Sequence, residues 1–138
     1  VSRRTTRRDT PQAAKVLGAD EVVRHLGTVR DVPIAPHVER YAARLLLATH
    51  PDSAHTTPRV KQYVKYGASP RGLQALVLGG KVRALLDGRF NVSIEDLRQV
   101  AKPALRHRMI LNFEGEAEEV RTDDILAEIL ERTPADAA

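Results

Sequence analysis

The residues best able to do chemistry lie in one stretch, Tyr66-Gly67-Ala68-Ser69-Pro70-Arg71-Gly72. Ser69 is placed to cap a helix, and Pro70 to occupy its first position. Arg71 then falls in the first helical turn, where unpaired N–H groups favour an anion. A guanidinium adds a charged, forked donor suited to phosphate oxygens. On these residues alone Arg71 is either a phosphate contact or a solvent-facing side chain beside a cap.

Other chemistries are poorly supplied. A phosphate loop reads GxxxxGK followed by Ser or Thr, between a strand and a helix. The nearest stretch, Gly79-Gly80-Lys81, lacks the upstream Gly and the hydroxyl residue and falls within a helical pattern. An apolar strand ending in Asp-Glu, which would hold Mg²⁺, is also missing, so this chain cannot assemble an ATPase site alone. The absence of Cys excludes a disulfide scaffold, a thiolate metal site and a Cys nucleophile. The histidines are His25, His37, His50, His55 and His107. His50 and His55 share a loop with Asp52, but their spacing specifies no metal geometry, and no metal site is expected. No nucleophile elbow supports a Ser/His/Asp arrangement.

The elements that must position Arg71 read as helices. Residues 11–30 look helical in two pieces, with Thr10 and Pro11 starting the first, Gly18 breaking it, and Val22, Val23, Leu26 and Val29 forming the apolar face of the second. Val32-Pro33-Ile34 is an extended connector. Residues 36–49 carry Val38, Tyr41, Ala42, Leu45 and Thr49 at helical spacing, widened by Leu46. Residues 50–60 read as a loop, and 60–64 as either a short helix or a strand. The next helix covers 69–87, with Leu73, Leu76, Val77, Gly80 and Ala84 on one face. Its Gly79-Gly80 costs about 1 kcal/mol per Gly relative to Ala, which predicts close approach of another helix. Gly88 ends it.

Ser93 caps a helix over 93–107, with Glu95 and Asp96 in its first turn. Leu97, Val100, Ala101, Ala104 and Leu105 form its stripe, and Pro103 should kink it. Residues 109–113 read as either a short strand or an extended segment, and 114–121 as an acidic loop. Thr122 is expected to cap a last helix whose Ile125, Leu126, Ile129 and Leu130 point inward. The expected fold is therefore all-α, a small helical bundle with one or two very short strands.

The chain has 138 residues, enough for one domain with its own core. With aromatics at 4% and no Trp, that core must be built from Leu, Val, Ile and Ala. No apolar run approaches the ~20 residues of a spanning helix, so a soluble, cytoplasmic protein without membrane contact is expected. Charge is unevenly spread. Residues 1–108 hold 20 Lys and Arg against 9 Asp and Glu, and residues 109–138 hold 2 against 9. A basic body beside an acidic segment suggests an anionic partner. One candidate function is therefore a small basic nucleic-acid-binding domain. Against it, the basic residues are dispersed rather than gathered on one recognition helix, and stacking aromatics are scarce. The acidic stretch 114–124 is alternatively a docking segment or a solvated loop.

The motif stretch has company. Gly67-Ala68-Ser69-Pro70-Arg71-Gly72, preceded by residues 60–66, resembles the sensor-2 motif in the lid of MoxR-type AAA+ ATPases. Leu47-Ala48-Thr49-His50-Pro51 resembles that family's Ala-Thr-Arg-Pro helix end, with His50 standing where the family commonly has Arg. Gly88-Arg89-Phe90-Asn91-Val92 followed by Glu95-Asp96-Leu97, and Leu105-Arg106-His107-Arg108 followed by 109–113, resemble two further family segments. The resemblance covers about residues 19–130.

It implies a helical lid over 19–132, a linker or arm at 1–18 leading from an ATPase core, and a disordered tail at 133–138. The absence of an initiator Met also suggests a piece of a longer protein. The resemblance implies Arg71 as the catalytic sensor-2 residue contacting the ATP γ-phosphate, with Gly67, Ser69, Pro70 and Arg71 as cofactor-binding residues. It implies ATP and Mg²⁺ as cofactors of the full-length enzyme, with tight binding to this chain alone not expected. The implied partners are the AAA+ core, neighbouring subunits of a ring, expected to be a hexamer, and a von Willebrand factor A domain protein. The implied role is chaperone-like remodelling, metal insertion or assembly of client proteins.

Overall fold

A computed structural model describes residues 13–135. The chain forms seven α-helices and one two-stranded sheet among these residues. They are α1 (Ala19–Asp31), α2 (Pro36–Ala48), α3 (Pro58–Tyr63), β1 (Val64–Tyr66), α4 (Pro70–Leu86), α5 (Ile94–Leu105), β2 (Ile110–Leu111), α6 (Phe113–Ala117) and α7 (Thr122–Arg132), with a 3-10 turn at Arg106–Arg108 after α5. The expected all-α bundle with very short strands is the fold observed.

The α4–α5 hairpin is its centre. A Cβ on Gly80 would lie 2.9 Å from Leu97 Cδ2 and 3.1 Å from Val92 Cγ1, and one on Gly72 would lie 3.1 Å from Leu105 Cδ2. Partners pair in opposite chain order, so the helices run antiparallel with their backbones close. The helical propensity lost at these glycines is offset by that contact. Across the hairpin pack Tyr41 and Leu45 of α2 and Ile125, Leu126 and Ile129 of α7, all fully buried with Leu76, Leu97 and Leu105. The guanidinium of Arg98 donates to the Tyr41 hydroxyl and to the Leu130 carbonyl, both at 3.1 Å, and so links α2, α5 and α7.

The hairpin turn is closed by polar groups. Gly88 has φ 71°, and its N–H and that of Arg89 donate to Leu85 and Ala84 carbonyls. This is a Schellman ending, where a side chain would be strained. Arg89 then reaches Asp96 with both nitrogens, at 2.5 and 2.8 Å. Asp96 also accepts from the Ser93 N–H at 2.8 Å and its hydroxyl at 2.7 Å. The carboxylate is 2% exposed. The Arg89 hydrogen bonds, helped by those from Ser93, hold it down to a pKa of about 2 against the burial that opposes ionisation.

Several expectations need correction. Residues 13–18 have no regular structure, so the helical piece placed at 11–17 does not form over its described part; its start at Thr10 and Pro11 lies outside the described residues. Helix α1 forms, but Val22, Val23 and Leu26 are 44%, 66% and 60% exposed, because no described element covers that face. Helix α3 starts at Pro58, inside the expected loop, because the Thr57 hydroxyl caps it. The ambiguous 60–64 segment is helix through Tyr63 and strand from Val64. Part of the acidic loop is helix α6, whose N–H at Gly115 is capped by the Asn112 side chain at 2.9 Å. Glu118 accepts from the Tyr63 hydroxyl at 2.9 Å and Glu114 from Gln62 at 2.6 Å, so these acidic groups are internal ties. The Glu118 hydrogen bond raises the Tyr63 phenol above its usual pKa. The N-cap of α7 is Arg121 rather than Thr122. Helix α5 continues past Pro103 to Leu105 before tightening. Thr133 is buried, with its hydroxyl on the Ile129 carbonyl at 2.7 Å; residues 136–138 lie outside the described residues.

Two predictions follow from this packing. Gly80→Val should destabilise by about 2 kcal/mol, because the added atoms meet Leu97 and Val92. Gly79→Ala should stabilise by about 0.5–1 kcal/mol, because a Cβ there meets Val100 only at 3.4 Å and propensity prevails. Urea melts distinguish the two. Asp96 has its folded pKa below its ordinary value of 3.8, so its contribution is present above pH 4 and lost as pH falls towards 2. After discounting for the solvated Arg89, this amounts to about 1–2 kcal/mol. Acid titration of Asp96→Asn should show a shallower loss of stability across that window than the parent chain.

Candidate functional site

The GASPRG segment leaves β1 at Tyr66 and enters α4 at Pro70. Its start is fastened, with Gly67 half-buried and Ala68 fully buried. Thr49, fully buried at the end of α2, donates from Oγ1 to the Leu46 carbonyl at 2.6 Å and accepts the Ala68 N–H at 2.9 Å. His50 Nε2 lies 3.0 Å from the Ala68 carbonyl. A carbonyl only accepts, so this nitrogen carries the proton. Both polar groups of Ala68 are thus held by adjacent side chains of another helix end. A Cβ on Gly67 would stand 2.6 Å from the Thr49 carbonyl oxygen, so only glycine lets the two backbones meet.

The second half is open. Ser69, Pro70 and Arg71 are all exposed. Ser69 occupies the N-cap position with extended backbone, but its side chain makes no capping hydrogen bond, a correction to its expected role. The Gly72 N–H turns back to the Ser69 carbonyl at 2.7 Å. Arg71 follows Pro70 in the first turn of α4, and among the described residues its guanidinium has no ion-pair or hydrogen-bond partner. Gly72 packs on Leu105, which brings the start of α4 beside the turn Arg106–Arg108 at the end of α5. Arg106 is paired with Asp123 at 3.2 Å, whereas Arg108 donates to the Ala104 carbonyl at 3.0 Å and has no ion pair among the described residues. This end of the hairpin is therefore electropositive and suited to an anion.

The AAA lid domain family matches residues 56–129, more than half of the chain. The chain belongs to this family. Chaperone MoxR1 of Mycobacterium tuberculosis is 26% identical over 121 residues, covering 88% of this chain and 32% of its own length. Protein MoxR of Methylorubrum extorquens is 37% identical over 73 residues, covering 52% of this chain and 21% of its own. A crystal structure of a Cytophaga hutchinsonii protein assigned as an ATPase superposes with TM-score 0.84 at 31% identity, over 96% of this chain and 40% of that one. The lid thus spans about a third or less of the curated relatives it matches. The MoxR resemblance of its motifs is upheld.

The motifs all fall at junctions of the lid. Thr49-His50 ends α2, GASPRG starts α4, Gly88-Arg89 turns the hairpin, and Arg106–Arg108 ends α5. Sequence reasoning placed Thr49 in an apolar stripe and did not see its tie to Ala68. The available signal was a hydroxyl at an inward helical position. His50, His55 and Asp52 do not converge: among the described residues no three His, Asp or Glu side chains form a metal-sized group. No described helix is long and apolar enough to cross a membrane.

Gly67→Ala should cost about 2 kcal/mol or more, because the added carbon meets backbone that cannot swing away. Ser69→Ala should cost less than about 0.5 kcal/mol, well below the usual loss of a cap. Thermal melts of the two variants check this contrast.

Proposed function

We propose that this chain is the lid of a MoxR-type AAA+ ATPase and that Arg71 contacts the γ-phosphate of ATP held by the core. The observation that carries this reading is an exposed guanidinium in the first turn of α4 with no partner among the described residues, at the electropositive end of the hairpin. Ser69, Pro70 and the Gly67 backbone line the approach to it. A phosphate fits this end, because it would pair with the Arg71 guanidinium and the Arg71 N–H; Pro70 has no N–H, and that of Gly72 is held by the Ser69 carbonyl. The phosphate loop and the Mg²⁺ ligands belong to the core. Binding and hydrolysis of ATP are properties of the full-length protein, and the isolated lid is expected to bind nucleotide weakly.

In this reading the Arg71–phosphate contact holds the lid against the core while the terminal phosphate is present. A charge-assisted contact of this kind contributes about 1.5–3 kcal/mol, enough to bias a lid equilibrium tenfold or more. Its loss on hydrolysis lets the lid rotate about a hinge that includes residues 13–18, which have no regular structure. The uncovered α1 stripe, Val22, Val23 and Leu26, offers the core an apolar surface. Neighbouring subunits of a ring, expected to be hexameric, would convert rotation into chaperone-like work on a client, with a von Willebrand factor A domain protein as partner. A relative named as a chaperone supports that class of role.

Arg71→Ala in the full-length protein should lower ATP turnover by about tenfold or more while leaving the melting temperature of the lid unchanged, since the side chain is exposed. Unchanged turnover would remove the sensor role.

A further inference from the structure

We infer that Thr49 and His50 form a latch that positions Arg71, an inference resting on the sensor reading above. Arg71 reaches its place through three residues with little freedom. Pro70 has a ring-restricted φ, Ser69 is tied by its carbonyl to the Gly72 N–H, and Ala68 is fully buried. Whatever orients the Ala68 peptide therefore orients the start of α4 and the guanidinium one turn on. That peptide is held by two side chains of a different element, with its N–H on Thr49 Oγ1 at 2.9 Å and its carbonyl on His50 Nε2 at 3.0 Å.

The latch is rigid because Thr49 is itself fixed. Its hydroxyl donates to the Leu46 carbonyl of its own helix, which leaves a lone pair aimed at Ala68. Gly67 removes the Cβ that would keep the strands of backbone apart. Ala68 packs against Gly72, where a Cβ would approach it to 3.1 Å, so a shift of the latch is passed to the helix. His50 acts only as a donor here. An Arg at that position could donate to the same carbonyl, so the function survives the exchange of residue type. Thr49 and His50 touch no reacting atom; they are positioning residues, and misplacement of a contact by about 1 Å is enough to cost turnover heavily.

The test uses the full-length ATPase, with kcat and KM for ATP measured separately and melting followed as a control. Thr49→Val keeps shape but deletes both hydroxyl hydrogen bonds, and should lower kcat about tenfold with a smaller change in KM. Thr49→Ser should stay near the parent. His50→Leu should lower kcat and His50→Arg should restore it, which covers the case that Thr49→Val fails to fold. In an Arg71→Ala background neither Thr49→Val nor His50→Leu should lower kcat further. If both leave kcat unchanged while Arg71→Ala lowers it, the latch is overturned and the sensor reading stands. The latch is also overturned if they lower kcat by the same factor with and without Arg71. A silent Arg71→Ala overturns the sensor reading and this inference together.

Discussion

The close antiparallel approach of α4 and α5 is the constraint on which the rest of the molecule depends. Gly72, Gly79 and Gly80 present no side chain to Leu105, Val100 and Leu97, and the two backbones settle together. Leu76, Leu97 and Leu105 are thereby fully buried, and α2 and α7 have a flat double helix to pack against. The same approach brings the start of α4 next to the end of α5. An exposed Arg and a basic turn become neighbours although they are far apart in sequence. A larger residue at Gly80 would separate the helices and, with them, the basic end.

Polar groups then fix what apolar packing leaves loose. Hydrophobic contact is non-directional and would tolerate small slides of one helix along another. The Arg89–Asp96 pair, with Ser93 as third partner, closes the far end of the hairpin. Arg98 ties Tyr41 to the last turn of α7. Thr49 and His50 hold Ala68 at the near end. Each tie joins residues from different elements, and each satisfies a group that burial would otherwise penalise. A lid that must carry a small phosphate-dependent signal benefits from being stiff between the sensing end and the surface that moves.

The surface divides in a way that suits this role. Four of the nine acidic residues in 109–138 are engaged: Glu114 and Glu118 with α3, Asp123 with Arg106, Glu128 with Arg59 and Arg132. Part of the local negative charge therefore acts as ties inside the lid. Arg71 is left outside this pairing. Among the described residues the α1 stripe is an apolar surface left uncovered, as are Phe90 and Phe113. A polar sensing end and an uncovered apolar helix are surfaces through which this domain can respond to something else.

Much of this was legible in the chain itself. Periodicity located α2, α4, α5 and α7, because each carries a stripe of Leu, Ile, Val and Ala at helical spacing, and the paired glycines of α4 announced a close neighbour. The motif GASPRG located the open helix start, since Pro after Ser reads locally. What stayed hidden depends on contacts between distant residues. Whether α1 is covered, whether 114–118 coils, which hydroxyl meets Ala68 and which carboxylate meets Arg89 are decided by which elements meet in space. Local sequence sets propensity and pattern over a few residues. Only the assembled tertiary structure decides which polar groups are buried together, and burial is what turns Thr49, His50 and Asp96 from ordinary polar residues into structural ties.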